Sequence, residues 1–398
     1  MNPYLSQLQP YPFEKLQSLK NGITPAVEKS PISLSIGEPK HTPPAFVLES
    51  LNKNIGRVVN YPSTKGLPEL RQAIAEWLTR RFKLNAAGID SETQVLPVNG
   101  TREALFAFVQ ACVDTRKTAK VLMPNPFYQI YEGAAYLAGA EPVFLNCSRE
   151  THYQPNYAEI DEQTWKDCQL LFICTPGNPT GAVMSNQQLV ELIELADKYD
   201  FIIASDECYS ELYFDEANPP QGLLQACASM GRDDYARCIV FHSLSKRSNL
   251  PGLRSGFVAG DQALLSPFLQ YRTYHGCAMP IQTQLASICA WQDEQHVIEN
   301  RSLYRKKFER VLSILDGCLD VGMPDASFYL WPTTPINEEL FTQKLFAEQN
   351  VTVLPGTFLA RPSGGVNPGS NRVRMALVAS LEECEQAATR IREFCLTL

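Results

Sequence analysis

The sequence predicts an α/β fold: a mostly parallel sheet covered by helices on both faces, joined to a smaller α+β domain. Three observations predict it. From about residue 66, short β-rich runs alternate with helical stretches. The runs are almost continuously apolar, as strands buried on both faces must be. After residue 283 the alternation stops and longer helices with scattered strands take over.

The elements follow in order. The first 40 residues carry Pro3, Pro10, Pro12, Pro25, Pro31 and Pro39 and read as an extended arm, with one short helix near 13–19. Residues 67–82 place Leu70, Ile74, Trp77 and Leu78 at helical spacing. Strands are predicted over 94–98, 120–123, 141–145, 170–174, 201–205, 238–242 and 256–259, with helices between them over 102–113, 128–138 and 186–198. A long helix over 284–315 then leads to strands at 326–331, 351–354 and 372–376 and a closing amphipathic helix over 380–396. This divides the chain into an arm at 1–47 that joins the small domain, a large ligand-binding domain at 48–283 and the small domain proper at 284–398.

Composition narrows the function. With 44% hydrophobic and 20% charged residues over 398 positions, the chain has ample material for a core and is not disordered. The 35 Lys+Arg against 43 Asp+Glu leave a net charge of -8 without any basic block, which argues against nucleic acid or an anionic membrane as partner. Twelve cysteines without a C-x-x-C read as reduced thiols of a cytoplasmic protein. His41, His152, His242, His275 and His296 show no metal-ligand spacing, so no metal is expected. The opening MNPYLSQLQPYPF lacks the pattern of a signal peptide, and apolar runs such as 170–174 are too short to span a bilayer.

In parallel α/β sheets, ligands bind beyond the C-terminal ends of the strands. Here those ends are polar and specific. After 94–98 come Asn99, Gly100 and Thr101, where glycine admits a close approach and the free N–H groups of a helix start suit a phosphate. After 170–174 comes Thr175-Pro176-Gly177-Asn178-Pro179-Thr180-Gly181. After 201–205 comes Asp206-Glu207-Cys208-Tyr209. After 238–242 comes Ser243-Leu244-Ser245-Lys246, followed by Gly252-Leu253-Arg254. Each alone is consistent with a cap, a turn or a surface charge; their assembly at one sheet edge is not. The absence of G-x-x-x-x-G-K-[ST], G-x-G-x-x-G and G-x-S-x-G takes the main support from nucleoside-triphosphatase, dinucleotide and α/β-hydrolase readings. A phosphate nest, a carboxylate, phenol and amide donors, a lysine and an arginine are what pyridoxal phosphate requires.

N-P-T-G, D-E-x-Y and S-x-S-K-x7-R, in this order, resemble the class I, fold-type I pyridoxal-phosphate aminotransferases, and the likeness runs from Gly37-Glu38-Pro39 to Arg374. Ser255 departs from the aliphatic residue that more often follows the arginine. The resemblance implies a role for each residue. Lys246 would hold the cofactor and move the substrate proton, a task for a neutral amine. Asp206 would face the pyridine nitrogen, and Asn178 and Tyr209 the ring's phenolic oxygen. Gly100, Thr101 and Arg102 (through backbone N–H), Ser243, Ser245 and Arg254 would cradle the phosphate, with Tyr128 stacked on the ring. Arg374 would bind the substrate α-carboxylate near Gly37. Strand alternation puts Arg372 and Arg374 on one face, so spacing does not choose between them; the resemblance favours Arg374. Tyr61 matches a residue that reaches the cofactor of a second subunit, implying a homodimer with shared active sites.

The stretches Gly37–Pro44 and Ser243–Phe257 further resemble bacterial succinyldiaminopimelate aminotransferases. The implied substrates are N-succinyl-2,6-diaminopimelate and 2-oxoglutarate, in lysine biosynthesis. Lys40 and Arg272 are candidates for the additional carboxylates. The alternatives are another 2-oxoglutarate-dependent aminotransferase (aspartate, aromatic or alanine), a C–S lyase on the same fold, and a non-enzymatic regulator, which the complete catalytic set disfavours.

Overall fold

The computed structural model describes residues 1–398. Its main sheet comprises β1 (Val95–Val98), β2 (Lys120–Asn125), β3 (Glu141–Asn146), β4 (Cys168–Cys174), β5 (Ile202–Asp206), β6 (Cys238–Ser243) and β7 (Gly256–Gly260), in the order β1-β7-β6-β5-β4-β2-β3. Strands β2 to β6 are mutually parallel, and β7 runs antiparallel to both β1 and β6.

Successive residues of a strand point to opposite faces, and here both faces are buried. In β4, Leu171 and Ile173 enter one core with Trp77, Leu192 and Trp291, while Leu170 and Phe172 enter the other with Phe108, Tyr131 and Phe268. That is why these strands read as unbroken apolar runs. The register brings Cys174 beside Asp206 and Asp206 beside Phe241, so β4, β5 and β6 end level. Their polar continuations emerge side by side at one edge.

Local signals hold the helices in place. Asn186–Tyr199 starts at Ser185, whose hydroxyl accepts from Gln188 N–H while the Gln188 side chain reaches back, and stops at Asp200 in the left-handed region (φ 61°). Thr101–Cys112 begins directly after Gly100, which adopts φ 83°.

A third core gathers Phe308, Leu330, Phe341, Val373 and Ile391 with Ile32 and Leu34 from the arm. Ile32–Ser33 pairs in parallel with Val351–Thr352, so the arm is stitched to the C-terminal part of the chain. A three-stranded antiparallel sheet of Leu354–Pro355, Val373–Ala376 and Tyr329–Leu330 lies beside it.

Three expectations change. The helix expected over 284–315 is two helices, Ile281–Gln292 and Gln295–Leu315. Asp293 between them is extended (φ -105°, ψ 131°), and its carboxylate accepts the N–H of His296 at 3.0 Å. Arg247 donates to the carbonyls of Ala290 and Asp293 and so satisfies the end of the first helix. The stretch 351–354 is two short strands with different partners, and 326–331 contributes only Tyr329–Leu330, with Ser327 at φ 81°. Helices Ala45–Lys53, Gln262–His275 and Glu338–Gln349 were not anticipated; Pro267 in the interior of the second obscures it. No helix is long and apolar enough to cross a membrane.

Candidate active site

The level strand ends, the start of helix Thr101–Cys112 and the strand carrying Arg374 enclose a cavity of about 390 Å³. Asp206 and Lys246 both line it, with Gly37, Thr101, Arg102, Tyr128, Asn178, Tyr209, Ser243, Ser245, Arg254 and Arg374. Residues distant in sequence are thus brought to one wall by the register of β4 to β6.

Lys246 Nζ donates to the carbonyl of Gly37 at 2.5 Å and lies 5.3 Å from the centre of the Phe328 ring. Burial lowers its pKa to about 8; Arg374 and Arg254 push the same way, while Cys208 and Glu38 oppose. Its neutral form is therefore far more accessible near physiological pH than that of an ordinary lysine, as a proton carrier requires.

Asp206 is buried at the end of β5. Its Oδ2 accepts the Tyr131 hydroxyl at 2.7 Å, and Oδ1 accepts only a long bond of 3.3 Å from Cys208 N–H, which leaves Oδ1 available to a ligand. Burial raises the Asp206 pKa, and the bonds from Tyr131 and Cys208 counter that rise.

Around the helix start, a Cβ on Gly100 would stand 2.3 Å from Arg254 Nη2, so only glycine lets that guanidinium approach the turn. Ser243 Oγ accepts the N–H of Ser245 at 3.1 Å, and the two hydroxyls lie 2.9 Å apart at the start of a short helix bearing Lys246. Backbone N–H groups, two hydroxyls and Arg254 converge here, a set suited to a phosphate.

Arg374 is buried and touches no carboxylate. Nη1 donates to Asn178 Oδ1 at 3.1 Å, Nη2 to the Ser35 carbonyl at 2.8 Å, and Nε has no partner. With its oxygen committed to Arg374, Asn178 keeps its NH₂ group for the cavity. Tyr209 Oη is 3.0 Å from Tyr329 Oη. Arg372, which alternation left open, instead donates to the Trp331 carbonyl and lies over Tyr153, outside this cavity.

Arg102 differs from the expectation. Besides its backbone at the helix start, its side chain lines the cavity: Nε donates to Tyr128 Oη at 3.1 Å and Nη2 to Tyr11 Oη. Its partners are phenols, not acids.

Gly100 flanks the lining residue Thr101 without lining the cavity itself, and three further expected residues lie away from it. Arg272, a candidate reader of substrate carboxylates, is fully buried, and its Nη1 is held by both oxygens of Glu103 at 2.8 Å. Lys40 lines a neighbouring cavity between the arm and Phe346. Tyr61 is fully exposed and reaches no site of its own chain. Tyr131, Tyr329 and Tyr11 were missed by sequence reasoning. Tyr131 lies three residues after Tyr128 on a helical stretch, a spacing that could have flagged it.

The donor set fits pyridoxal phosphate. The Gly100 cradle suits the phosphate, Oδ1 of Asp206 a ring nitrogen, Lys246 an aldehyde, and the unpaired Arg374 a substrate carboxylate. Fold and site together define a pyridoxal-phosphate enzyme that acts on amino acids. The chain belongs to the class I and II aminotransferase family, whose model matches residues 29–391, and its cofactor is pyridoxal 5'-phosphate. It is 32% identical over 393 residues to the LL-diaminopimelate aminotransferase of Maridesulfovibrio salexigens, covering 97% of each chain. Among solved structures it resembles an aminotransferase from Neisseria meningitidis (49% identity, TM-score 0.95, covering 99% and 100% of the two chains). It also resembles a probable N-succinyldiaminopimelate aminotransferase from Thermus thermophilus (25% identity, TM-score 0.84, covering 96% and 99%).

Proposed function

We propose that the enzyme transfers an amino group from N-succinyl-2,6-diaminopimelate to 2-oxoglutarate. One observation carries this reading: the cavity is lined by four cationic side chains, Arg102, Lys246, Arg254 and Arg374, and by a single carboxylate, Asp206. Arg254 serves the phosphate and Arg374 the α-carboxylate. Arg102, held by phenols at the mouth, remains for a second, distal carboxylate.

The cofactor, when bound, stabilises the carbanion left at the substrate Cα and carries the amino group between the two half-reactions. The chain's residues do the rest. Lys246, whose pKa burial brings down to about 8, takes and returns the Cα proton in its neutral form. Asp206 presents a negative charge to the ring nitrogen. Asn178 and Tyr209 donate to the phenolic oxygen. Gly100, Thr101 and Arg102 offer backbone N–H groups to the phosphate, together with Ser243, Ser245 and Arg254. Tyr128 covers the ring, and Gly37 lies beside the α-carboxylate. We assign residues 48–283 to the cofactor-binding domain and 284–398, with the arm 1–47, to the smaller one. We also assign a cytoplasmic homodimer in which exposed Tyr61 reaches the neighbouring subunit's phosphate.

A second reading, LL-diaminopimelate itself as donor, is favoured by the curated relatives. Charge supports the succinylated substrate over it. Succinylation replaces a distal ammonium by an amide and adds a carboxylate, which suits a cavity with excess positive charge and no spare acid. The test is a donor panel with 2-oxoglutarate, following glutamate formation. A kcat/KM for N-succinyl-2,6-diaminopimelate at least about tenfold above those for LL-diaminopimelate, aspartate, aromatic amino acids and alanine is expected. Preference for LL-diaminopimelate establishes the second reading, and pyruvate release without an oxo-acid acceptor would indicate a lyase.

A further inference from the structure

The fully buried Arg272 and the partly exposed Glu103 form an ion pair that none of the roles above uses. Both oxygens of Glu103 accept from Arg272 Nη1 at 2.8 Å, and Arg272 Nη2 donates to the Cys277 carbonyl at 3.1 Å. Glu103 sits in the first turn of helix Thr101–Cys112, and its Oε1 also accepts the backbone N–H of Asn99 at 3.0 Å. Asn99 precedes Gly100, the residue against which Arg254 packs. One chain of contacts therefore runs from Arg272 through Glu103 to the turn assigned to the phosphate.

The electrostatics of this arrangement are specific. A carboxylate in the first turn competes for the positive end of the helix with any phosphate bound there. Alone, Glu103 would repel the cofactor's dianion. Arg272 cancels that charge while leaving Glu103 as the acceptor that fixes Asn99 N–H. His275 and Cys277 also stand close to Glu103, but both of its oxygens already face a guanidinium, which disfavours a metal ion there.

We infer that Arg272 is a positioning residue for the cofactor phosphate, acting through Glu103 on the Asn99–Gly100 turn. The inference rests on the assignment of the phosphate to that turn, and the experiment separates the two. Apoenzyme is titrated with pyridoxal phosphate and, separately, with pyridoxal, which has the aldehyde and ring but no phosphate. Wild type is expected to bind the phosphorylated form far more tightly. Arg272→Met is expected to weaken pyridoxal phosphate about tenfold or more and pyridoxal by less than about twofold. The double variant Glu103→Gln/Arg272→Met, which removes both charges and keeps an acceptor for Asn99, is expected to return to within about threefold of wild type. Because it buries no unpaired charge, it also tests the idea if the single variant does not fold. Equal weakening of both ligands in Arg272→Met, or a double variant that binds pyridoxal phosphate more than about tenfold worse than wild type, overturns the inference. Wild type binding both ligands equally would overturn the phosphate assignment itself, and the inference with it.

Discussion

The hydroxyl of Tyr131 donates a 2.7 Å hydrogen bond to Oδ2 of Asp206, and both side chains are buried. Tyr131 is stacked on Phe172 at 4.3 Å, so the phenol is fixed by the core beneath the sheet edge. It stabilises the charged form of an acid that burial would otherwise neutralise.

Tyr131→Phe is therefore expected to raise the Asp206 pKa further. The acidic limb of the pH–activity profile should move to higher pH, with kcat at neutral pH falling by about tenfold and stability by about 1–3 kcal/mol. An unmoved acidic limb would show that Asp206 takes its charge from elsewhere.

Lys246→Met is expected to stabilise the apoenzyme at neutral pH. The lysine's pKa falls from 10.5 to about 8 on folding, so between these values the unfolded chain holds a proton that the folded chain does not. Wild-type stability then rises with pH across that window, and the full penalty applies below it. The methionine variant lacks the penalty but loses the bond to Gly37, for a net gain of about 1–3 kcal/mol at pH 7 that vanishes above pH 10.5. Denaturant midpoints across pH measure this; a difference independent of pH would contradict it.

Arg374→Lys and Arg102→Met should separate the two carboxylate roles. Replacing the fork of Arg374 by a point charge is expected to raise KM about tenfold or more for every amino donor, monocarboxylic or dicarboxylic. Arg102→Met should raise KM for dicarboxylic substrates such as glutamate by a similar factor and leave alanine nearly unaffected. Equal losses on both substrate types would remove Arg102 from the distal subsite.

Gly100→Ala combines a left-handed φ of 83° with a Cβ 2.3 Å from Arg254 Nη2. It is expected to cost about 1–2 kcal/mol of stability and to weaken pyridoxal phosphate at least about tenfold by displacing the guanidinium. Fluorescence titration of the apoenzyme gives the second quantity. Unchanged affinity would place the phosphate elsewhere.

Much of the fold was legible because its signals are local. The seven strands were readable from apolar runs bounded by polar turns, and Asn186–Tyr199 from its periodicity. The break at Asp293 was not, because it is completed by Arg247, 46 residues away. The two strands within 351–355 differ only in their partners, which no local pattern encodes. Within the site, Asp206, Asn178 and Lys246 stood out as polar residues after apolar strands. Arg272 and Lys40 misled because a cation's identity does not reveal its partner: Glu103 claims the first, and the second faces another cavity.

By itself, then, the sequence determined which residue types stand at the sheet edge and hence which cofactor they suit, since strand alternation and turn chemistry act over a few residues. Which cations remain free for substrate was decided only by the tertiary structure. Arg102 meets two phenols and stays available, while Arg272 meets Glu103 and does not. Charge neutralisation depends on contacts between segments far apart in the chain, and only the packed fold specifies them.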